Sequence, residues 1–315
     1  MKEHLSGYQR RDWEVVDYHM YQLGDTELSF RGTESAFQEI ESAEALSQED
    51  YFVCIGAAQT FGCFCPRPFP SILQNQLGLK VLNLGYGGAG PFFFLNHQEL
   101  LPYINQAKFV IVQVMSGRSE SNSLFDSGGL EYLTRRNDSQ KISANKAYSD
   151  LFRQYQPPLF QQPLLNKIAR SLIGSPKVKE IVAETRANWI ANYHKLLAQI
   201  TIPKILFWYS RRSPWYWQRY SHAQALFGDF PHMVNAKMLA AIQPYANDYV
   251  QCVTRRGSPQ PLYSRFTGEP VVIDCSLDRP DLDHRYTHNR YYPSPQMHED
   301  AAHALESRCR EILTS

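Results

Sequence analysis

The sequence has no long hydrophobic run and almost no net charge. No stretch approaches the roughly 18 to 20 consecutive apolar residues that span a bilayer, and the first ten residues are polar and charged. Lys and Arg together number 32 against 31 for Asp and Glu, which leaves a net charge of +1. We therefore expect a cytoplasmic protein with neither a membrane nor a nucleic acid as its partner.

The sequence also lacks a cysteine pattern and an internal repeat. Its 6 cysteines are scattered, and only Cys63 and Cys65 lie close together. Because no second pair completes a four-ligand zinc pattern, we expect no metal site and reduced thiols.

Five apolar segments are each followed by a break or a loop that is rich in glycine, serine or arginine. Segments that predict helices separate them, and this alternation is typical of a parallel sheet with right-handed crossovers. The sequence thus predicts a three-layer, doubly wound α/β fold with a five-stranded parallel sheet in the flavodoxin-like order. The predicted strands are residues 51–55, 80–84, 108–115, 204–209 and 249–253.

Two further regions flank or interrupt this pattern. Residues 1–50 are predicted to form an N-terminal extension packed on the domain of residues 51–315, with a hairpin around Gly24 and an acidic helix from Ser35 to Leu46. The pattern weakens over about 124–175, which predicts an insertion of loops and short helices. Such an insertion often covers an active site.

Glycine-rich or serine-rich loops follow the first three predicted strands, at 56–62, 83–90 and 115–123. The carboxyl ends of parallel strands meet at one edge of the sheet, so these loops are expected to surround a crevice. Glycine permits close approach of a ligand, and free amides favour an anion or an oxyanion. The alternative is tight turns that bind no ligand.

The first loop resembles the signature Gly-Asp-Ser-x-Thr-x-Gly of the SGNH (GDSL) esterases. Gly56, Thr60 and Gly62 match it, but Ala57 and Ala58 replace the aspartate and the nucleophilic serine. These loops also resemble those of a divergent bacterial branch of that superfamily, whose function is unknown. The resemblance implies that the first loop, including Gln59, binds the ligand in a fold that has lost its nucleophile.

The other blocks of that family are matched less well. The resemblance implies that the amide of Gly85 or Gly88 contributes to an oxyanion hole. Where the family has Gly-x-Asn-Asp, this chain has Gly117-Arg-Ser-Glu. The oxyanion asparagine is therefore replaced by Ser119, unless Asn122 reaches the site.

The final block of the family, Asp-x-x-His-Pro, corresponds to residues 289–293, which contain neither the acid nor the base. We expect His298, five residues after Pro293, to act as the general base, with His284 as an alternative. Asp229 is either a catalytic acid or a turn residue. Cys63 or Thr60 is an alternative nucleophile.

A second resemblance points to nucleotide-dependent sulfotransferases. In these enzymes an arginine after a strand and nearby serines hold the 3′-phosphate of the donor, a role that falls on Arg118 here, with Thr60 and Gly62 in the phosphate loop. The first loop departs from that family because it lacks a lysine. The donor implied is 3′-phosphoadenosine 5′-phosphosulfate or, for acyl transfer, a coenzyme A thioester, although no cofactor is required by the sequence.

The fourth predicted strand is followed by Arg211 and Arg212, then by the aromatic segment 215–217. An arginine next to aromatic rings over a crevice suits a sugar ring or a charged acceptor.

Taken as a sequence, the chain is best interpreted as an enzyme that transfers an acyl or sulfuryl group to a hydroxyl of a sugar or another small molecule. A histidine without the serine can still act as base for an acceptor hydroxyl. The alternatives are a sulfotransferase specifically, or a catalytically inactive protein that binds a glycan or a metabolite. A homodimer is left open.

Overall fold

The computed structural model of the chain describes residues 10–24, 26–32, 50–155, 175–277 and 284–314. The strands in this part are β1 Met20–Gln22, β2 Ser29–Arg31, β3 Tyr51–Gly56, β4 Lys80–Gly85, β5 Val110–Gln113, β6 Phe125–Ser127, β7 Tyr132–Arg135, β8 Lys141–Ser143, β9 Lys204–Ser210, β10 Asp248–Val253, β11 Gln260–Pro261, β12 Ile273–Asp274, β13 Arg285–Tyr286 and β14 His288–Asn289. The helices are α1 Ala58–Phe61, α2 Phe69–Leu77, α3 Pro91–Asn96, α4 Leu101–Asn105, α5 Ala144–Tyr155, α6 Pro176–Gln199, α7 Ala223–Phe227, α8 Ala236–Ile242 and α9 Pro295–Thr314.

Five parallel strands form the central sheet in the order β4-β3-β5-β9-β10. Every residue of β3 is buried, which explains why this strand is an apolar run rather than an alternation of polar and apolar residues. Strand order 2-1-3-4-5 is the flavodoxin-like order. The predicted doubly wound, five-stranded parallel sheet is therefore confirmed.

Helices cover both faces of the sheet, so the fold has three layers. On one face α3 and α6 pack on the strands, with Trp189 and Tyr193 of α6 in the core. On the other face α2 and α9 pack together through side chains such as Phe69 and Leu305. Each buried side chain of this size stabilises the fold by about 1.5–3 kcal/mol.

The final helix, α9, begins at a serine followed by a proline. Ser294 Oγ accepts a hydrogen bond from the backbone N–H of Met297 at 3.2 Å, and Pro295 is the first helical residue. Serine satisfies an N–H group that lacks a partner inside the helix, and proline suits a position where no donor is needed.

The insertion contains a sheet that the sequence did not predict. Strands β6, β7 and β8 form an antiparallel sheet before α5, and the rest of the segment, residues 156–174, lies outside the described residues. Gly129 lies at its turn with φ +84°, and a Cβ on this residue would overlap the backbone nitrogen of Phe93. The Gly129 carbonyl accepts the N–H of Gly90 at 2.7 Å, which fastens the insertion to the loop after β4.

The hairpin predicted around Gly24 is present as β1 and β2. Tyr21 and Phe30 pack into the main core. The buried guanidinium of Arg31 donates to four backbone carbonyls of residues 61, 62, 65 and 66, which ties the hairpin to the loop after α1. The acidic helix predicted at 35–46 lies outside the described residues, and no helix within the described ranges is long and apolar enough to cross a membrane.

The close crossing of α1 over the end of β4 leads to a test with a matched control. A Cβ on Gly85 would overlap the backbone nitrogen of Phe61, whereas a Cβ on Gly87 would have no atom within 4 Å. We expect Gly85→Ala to lower the free energy of unfolding by about 1–3 kcal/mol because rigid backbone cannot yield. Urea unfolding measures this, and Gly87→Ala is expected to change it by no more than about 0.5 kcal/mol. Equal effects of the two substitutions would contradict the crossing.

Candidate functional site

A cavity of about 240 Å³ lies above the carboxyl ends of the sheet strands. The loops after β3, β4 and β5 form its floor and two sides. The insertion and two segments from the second half of the chain complete it. Its walls are residues 57–59, 87–89, 116, 118, 119, 130–132, 230, 291 and 292.

The first loop is held from below by a buried glutamine at the end of β5. Gln113 Oε1 accepts hydrogen bonds from the backbone N–H of Ala57 and from Thr60 Oγ1, both at 2.9 Å. A Cβ on Gly56 would overlap Thr60 Oγ1, so this glycine is needed for the close approach. Gly56 and Thr60, which we expected to bind a ligand, instead fix the shape of the loop.

Gln59 is the polar residue of the first loop in the cavity wall. The residue is 3% exposed, and its buried Oε1 has no hydrogen-bond partner among the described residues. A buried amide oxygen without a partner costs free energy unless a ligand or water satisfies it. Ala58 lies beside it, at the position where the esterase signature that the first loop resembles has its serine.

Of the two glycines in the second loop that were expected to supply an oxyanion amide, one lines the cavity and the other does not. The Gly85 N–H donates to Asn83 Oδ1 at 2.9 Å and Gly85 does not line the cavity. Gly88 lines it, with φ +80°, and its carbonyl accepts a hydrogen bond from Ser119 Oγ at 3.0 Å. Of the pair, Gly88 is the one placed to meet a ligand.

Arg118 of the third loop is buried at the cavity wall and has three side-chain partners. Its guanidinium donates to Glu131 Oε2 at 2.6 Å, to Asn145 Oδ1 at 3.3 Å and to the hydroxyl of Tyr291 at 3.1 Å. Burial opposes its charge, but Tyr291 and Glu131 outweigh burial and raise the pKa of Arg118. Arg118 stays charged, and Glu131 neutralises it.

Tyr291 connects Arg118 to a buried histidine. His232 Nε2 lies 3.0 Å from the Tyr291 hydroxyl, and His232 Nδ1 lies 2.8 Å from the carbonyl oxygen of Gly228. Burial lowers the pKa of His232 well below its ordinary value, and the positive charge of Arg118 lowers it further. His232 is therefore neutral at neutral pH.

Two arginines support the segment that carries His232. Arg212 donates to the carbonyls of Asp229 at 2.9 Å and of Val234 at 2.7 Å, and its guanidinium stacks 3.8 Å from the ring centroid of Tyr216. Arg211 pairs with Asp229 at 3.0 Å. Neither the two arginines nor Asp229 line the cavity, so the structure does not bring these expected ligand and acid residues to it.

The histidine expected to be the base is buried in the helix layer. His298 Nδ1 accepts the backbone N–H of Phe69 at 3.1 Å, and its ring packs against Phe69 and Tyr209. Burial lowers the pKa of His298 to about 3. The structure does not bring His298 to the cavity.

The remaining expected residues lie elsewhere. Asn122 is buried and holds a turn, accepting the N–H groups of Leu124 and Phe125. Gly62 ends α1 with φ +85°. His284 is exposed and does not line the cavity.

The alternative nucleophiles are also engaged or buried. Burial raises the pKa of the Cys63 thiol, which disfavours the thiolate, and Thr60 Oγ1 is bonded to Gln113. All 6 cysteines are free and buried. No group of three His, Cys, Asp or Glu side chains in the described ranges is arranged to hold a metal ion.

A family model described as a domain of unknown function, DUF6473, matches residues 7–313. The chain belongs to this family. No curated protein matches the sequence significantly.

Several solved structures resemble the chain weakly. A carbohydrate esterase family 2 enzyme with a carbohydrate-binding domain from Corynascus thermopiles is 11% identical, with a TM-score of 0.37, covering 86% of this chain and 68% of that one. A carbohydrate acetylesterase family member from Sinorhizobium meliloti is 10% identical, with a TM-score of 0.36, covering 84% of this chain and 100% of that one. A catalytic mutant of an acetylxylan esterase from Geobacillus stearothermophilus is 14% identical, with a TM-score of 0.35, covering 85% of this chain and 95% of that one. None of these findings supports the resemblance to sulfotransferases, and the fold class rests on the strand order.

Sequence reasoning missed four residues of the site: Gln113, Glu131, His232 and Tyr291. Gln113 had a signal, because it is a single polar residue inside the apolar run 108–115. Tyr291 lies within the segment that corresponds to the last block of the SGNH signature, where an acid and a base were expected. Glu131 and His232 carried no local signal.

The burial of His298 predicts how stability depends on pH. Its folded pKa lies below the ordinary value near 6.5, so the unfolded chain binds the proton more readily, and stability is lost as pH falls from about 6.5 towards 3. In His298→Asn, Oδ1 can still accept the Phe69 N–H. As the pH falls through this window, we expect the free energy of unfolding of this variant to decrease by up to about 1.4 kcal/mol per pH unit less than that of the natural protein.

Urea unfolding of both proteins between pH 6 and 4 measures this difference. The comparison with the variant is needed because burial raises the pKa of Glu120 to about 8, and that carboxyl makes the folded state less stable as pH rises. Parallel pH curves for the two proteins would show that His298 is not buried in its neutral form.

Proposed function

We propose that the cavity binds a small, neutral, hydroxyl-bearing molecule such as a saccharide, and that an acyl group is transferred directly to its hydroxyl. The observation that carries this proposal is the unpartnered Oε1 of Gln59, buried in the cavity wall next to Ala58, where the resembling esterase signature has its serine. A buried amide with an open acceptor suits the hydroxyl or amide of a ligand.

Direct transfer is favoured because no serine in the described part of the cavity wall is paired with a base. Ala58 has no hydroxyl. Ser119 Oγ donates to the Gly88 carbonyl, and Ser116 Oγ accepts the N–H of Arg118. A serine nucleophile needs a base within hydrogen-bond reach, and neither serine has a base among its described hydrogen-bond partners.

The charge and the size of the cavity favour a neutral acceptor and a small acyl ester as donor. Arg118 is neutralised by Glu131 at 2.6 Å, which leaves no free charge for a donor phosphate. The volume of about 240 Å³ lies below the roughly 300–1,000 Å³ of pockets that enclose drug-sized ligands. A small acyl ester therefore suits this volume better than a whole adenine nucleotide.

Backbone amides are available for the oxyanion of the transfer. Within the described ranges the N–H groups of Ala58, Gln59 and Gly88 donate to no protein acceptor, and all three residues line the cavity. Fixed amide donors aimed at developing charge stabilise acyl-transfer transition states strongly. The aromatic rings of Phe230 and Tyr132 supply apolar walls.

A second candidate is a non-catalytic protein that binds a saccharide or a metabolite. Ala58 favours it, because the residue that performs the chemistry in the resembling family is absent. The same contacts would then hold a ligand that is never transformed.

A transfer assay separates the two. With 4-nitrophenyl acetate as donor and methyl β-glucoside as acceptor, we expect acetylated glucoside by mass spectrometry. Gln59→Ala is expected to lower kcat/KM about 10–100-fold, the equivalent of about 1.4–2.7 kcal/mol. The control Gln224→Ala removes an exposed amide from α7 and should leave the rate unchanged.

Calorimetric titration with the glucoside gives the second arm. Binding that Gln59→Ala weakens, without any acetylated product, would identify a binding protein. If the protein neither forms acetylated glucoside nor binds the glucoside, the proposal is contradicted.

A further inference from the structure

We propose that Tyr291 and His232 act together as the proton acceptor for a hydroxyl bound in the cavity. Tyr291 is the catalytic residue that contacts this hydroxyl, and His232 accepts the proton of Tyr291. This inference rests on the proposed function, because the hydroxyl concerned is that of the acceptor. The direct observation is the chain of contacts Arg118, Tyr291, His232, Gly228, in which Tyr291 lines the cavity.

The carbonyl of Gly228 determines which nitrogen of His232 carries the proton. A carbonyl oxygen only accepts, so Nδ1, 2.8 Å away, must be the donor. In a neutral imidazole the other nitrogen, Nε2, is then an acceptor. The Tyr291 hydroxyl at 3.0 Å therefore donates its proton to Nε2.

Arg118 occupies one side of the same hydroxyl oxygen. Its N–H donates to Tyr291 Oη at 3.1 Å. A hydroxyl has one proton and two lone pairs. With the proton directed to His232 and one lone pair to Arg118, the remaining lone pair is left to accept the proton of a bound hydroxyl.

In the proposed step, a proton passes from the acceptor through Tyr291 to His232 and later returns to the leaving group. The acceptor oxygen forms a bond to the acyl carbon of the ester donor, while its proton passes to Tyr291 Oη and the Tyr291 proton passes to His232 Nε2. The bond from the acyl carbon to the leaving oxygen then breaks. That oxygen takes back a proton from His232 through Tyr291, and both residues return to their starting states.

The groups around His232 set the pH range of the step. Arg118, Arg211 and Arg212 add positive charge, Tyr291 and the phenylalanines at 227 and 230 are neutral, and Glu131 lies beyond Arg118. Burial and then Arg118 lower the pKa of His232 well below 6.5. The proton-accepting form therefore persists into acid, and the acid limb of the rate profile is expected below pH 6.5.

The test uses three variants in the acetyl-transfer assay. Tyr291→Phe is expected to lower kcat about 10²–10³-fold, within the usual contribution of a general base, with KM for methyl β-glucoside changed less than threefold. His232→Gln, whose carbonyl still accepts from Tyr291 but cannot take its proton, is expected to lose a similar factor. Tyr245→Phe is the matched control, because Tyr245 stacks on His194 outside the cavity and should leave kcat unchanged.

Nitrogen-15 NMR of the histidine rings gives a readout that does not depend on turnover. We expect His232, assigned by the loss of its signals in His232→Gln, to carry its proton on Nδ1 and to stay neutral from pH 8 to 5. Methyl β-glucoside should shift its Nε2 signal in the natural protein but not in Tyr291→Phe.

The outcomes separate the two proposals. If no acetylated product forms but the glucoside shifts the Nε2 signal, the transfer function is rejected, and the pair is retained as the group that accepts the proton of the bound hydroxyl in a hydrogen bond. Product formation that Tyr291→Phe leaves intact would reject the pair and retain the transfer function. A proton on Nε2, or no response to the glucoside, would also overturn the inference.

Discussion

The arrangement of the site depends on one buried guanidinium. Arg118 contacts Glu131 and Asn145, both in the insertion, and Tyr291 near the end of the chain, so segments from the two halves of the chain meet at a single side chain. Removing a buried charge partner is costly because the group left behind has lost its water. Arg118 therefore holds the cavity walls together through its pairing with Glu131. The sulfotransferase resemblance implies a different role, in which this arginine binds the 3′-phosphate of a donor.

Much of the fold was predictable because both faces of the parallel sheet are buried. A strand such as β3 is then a run of consecutive apolar residues that ends at a glycine, and Gly85 at the end of β4 marks the place where α1 crosses closely. The sheet β6-β7-β8 was not predictable in the same way. Its strands are 3–4 residues long, too short to show a period.

The candidate site was predictable only as far as its loops. Gly88, Gln59 and Arg118 were found because they follow strands of a parallel sheet, whose carboxyl ends always converge. The partners of Arg118 could not be found, since Glu131 and Tyr291 reach it from an insertion and from the far end of the chain. His298 showed the reverse error: a histidine near a family motif was taken for a base, although its ring completes the packing between α9 and α2. The catalytic roles of Ser119 and Asp229 stay predictions.

The dispersed origin of the cavity walls has a consequence for how the site comes into being during folding. Residues from 57 to 292 contribute to one small space, and contacts between residues so far apart in sequence form late because long loops must close first. A fragment that ends before residue 230 lacks the wall formed by residues 230, 291 and 292. The complete cavity therefore forms only when both halves of the chain have folded together, and a ligand that needs all of its walls stabilises that folded state.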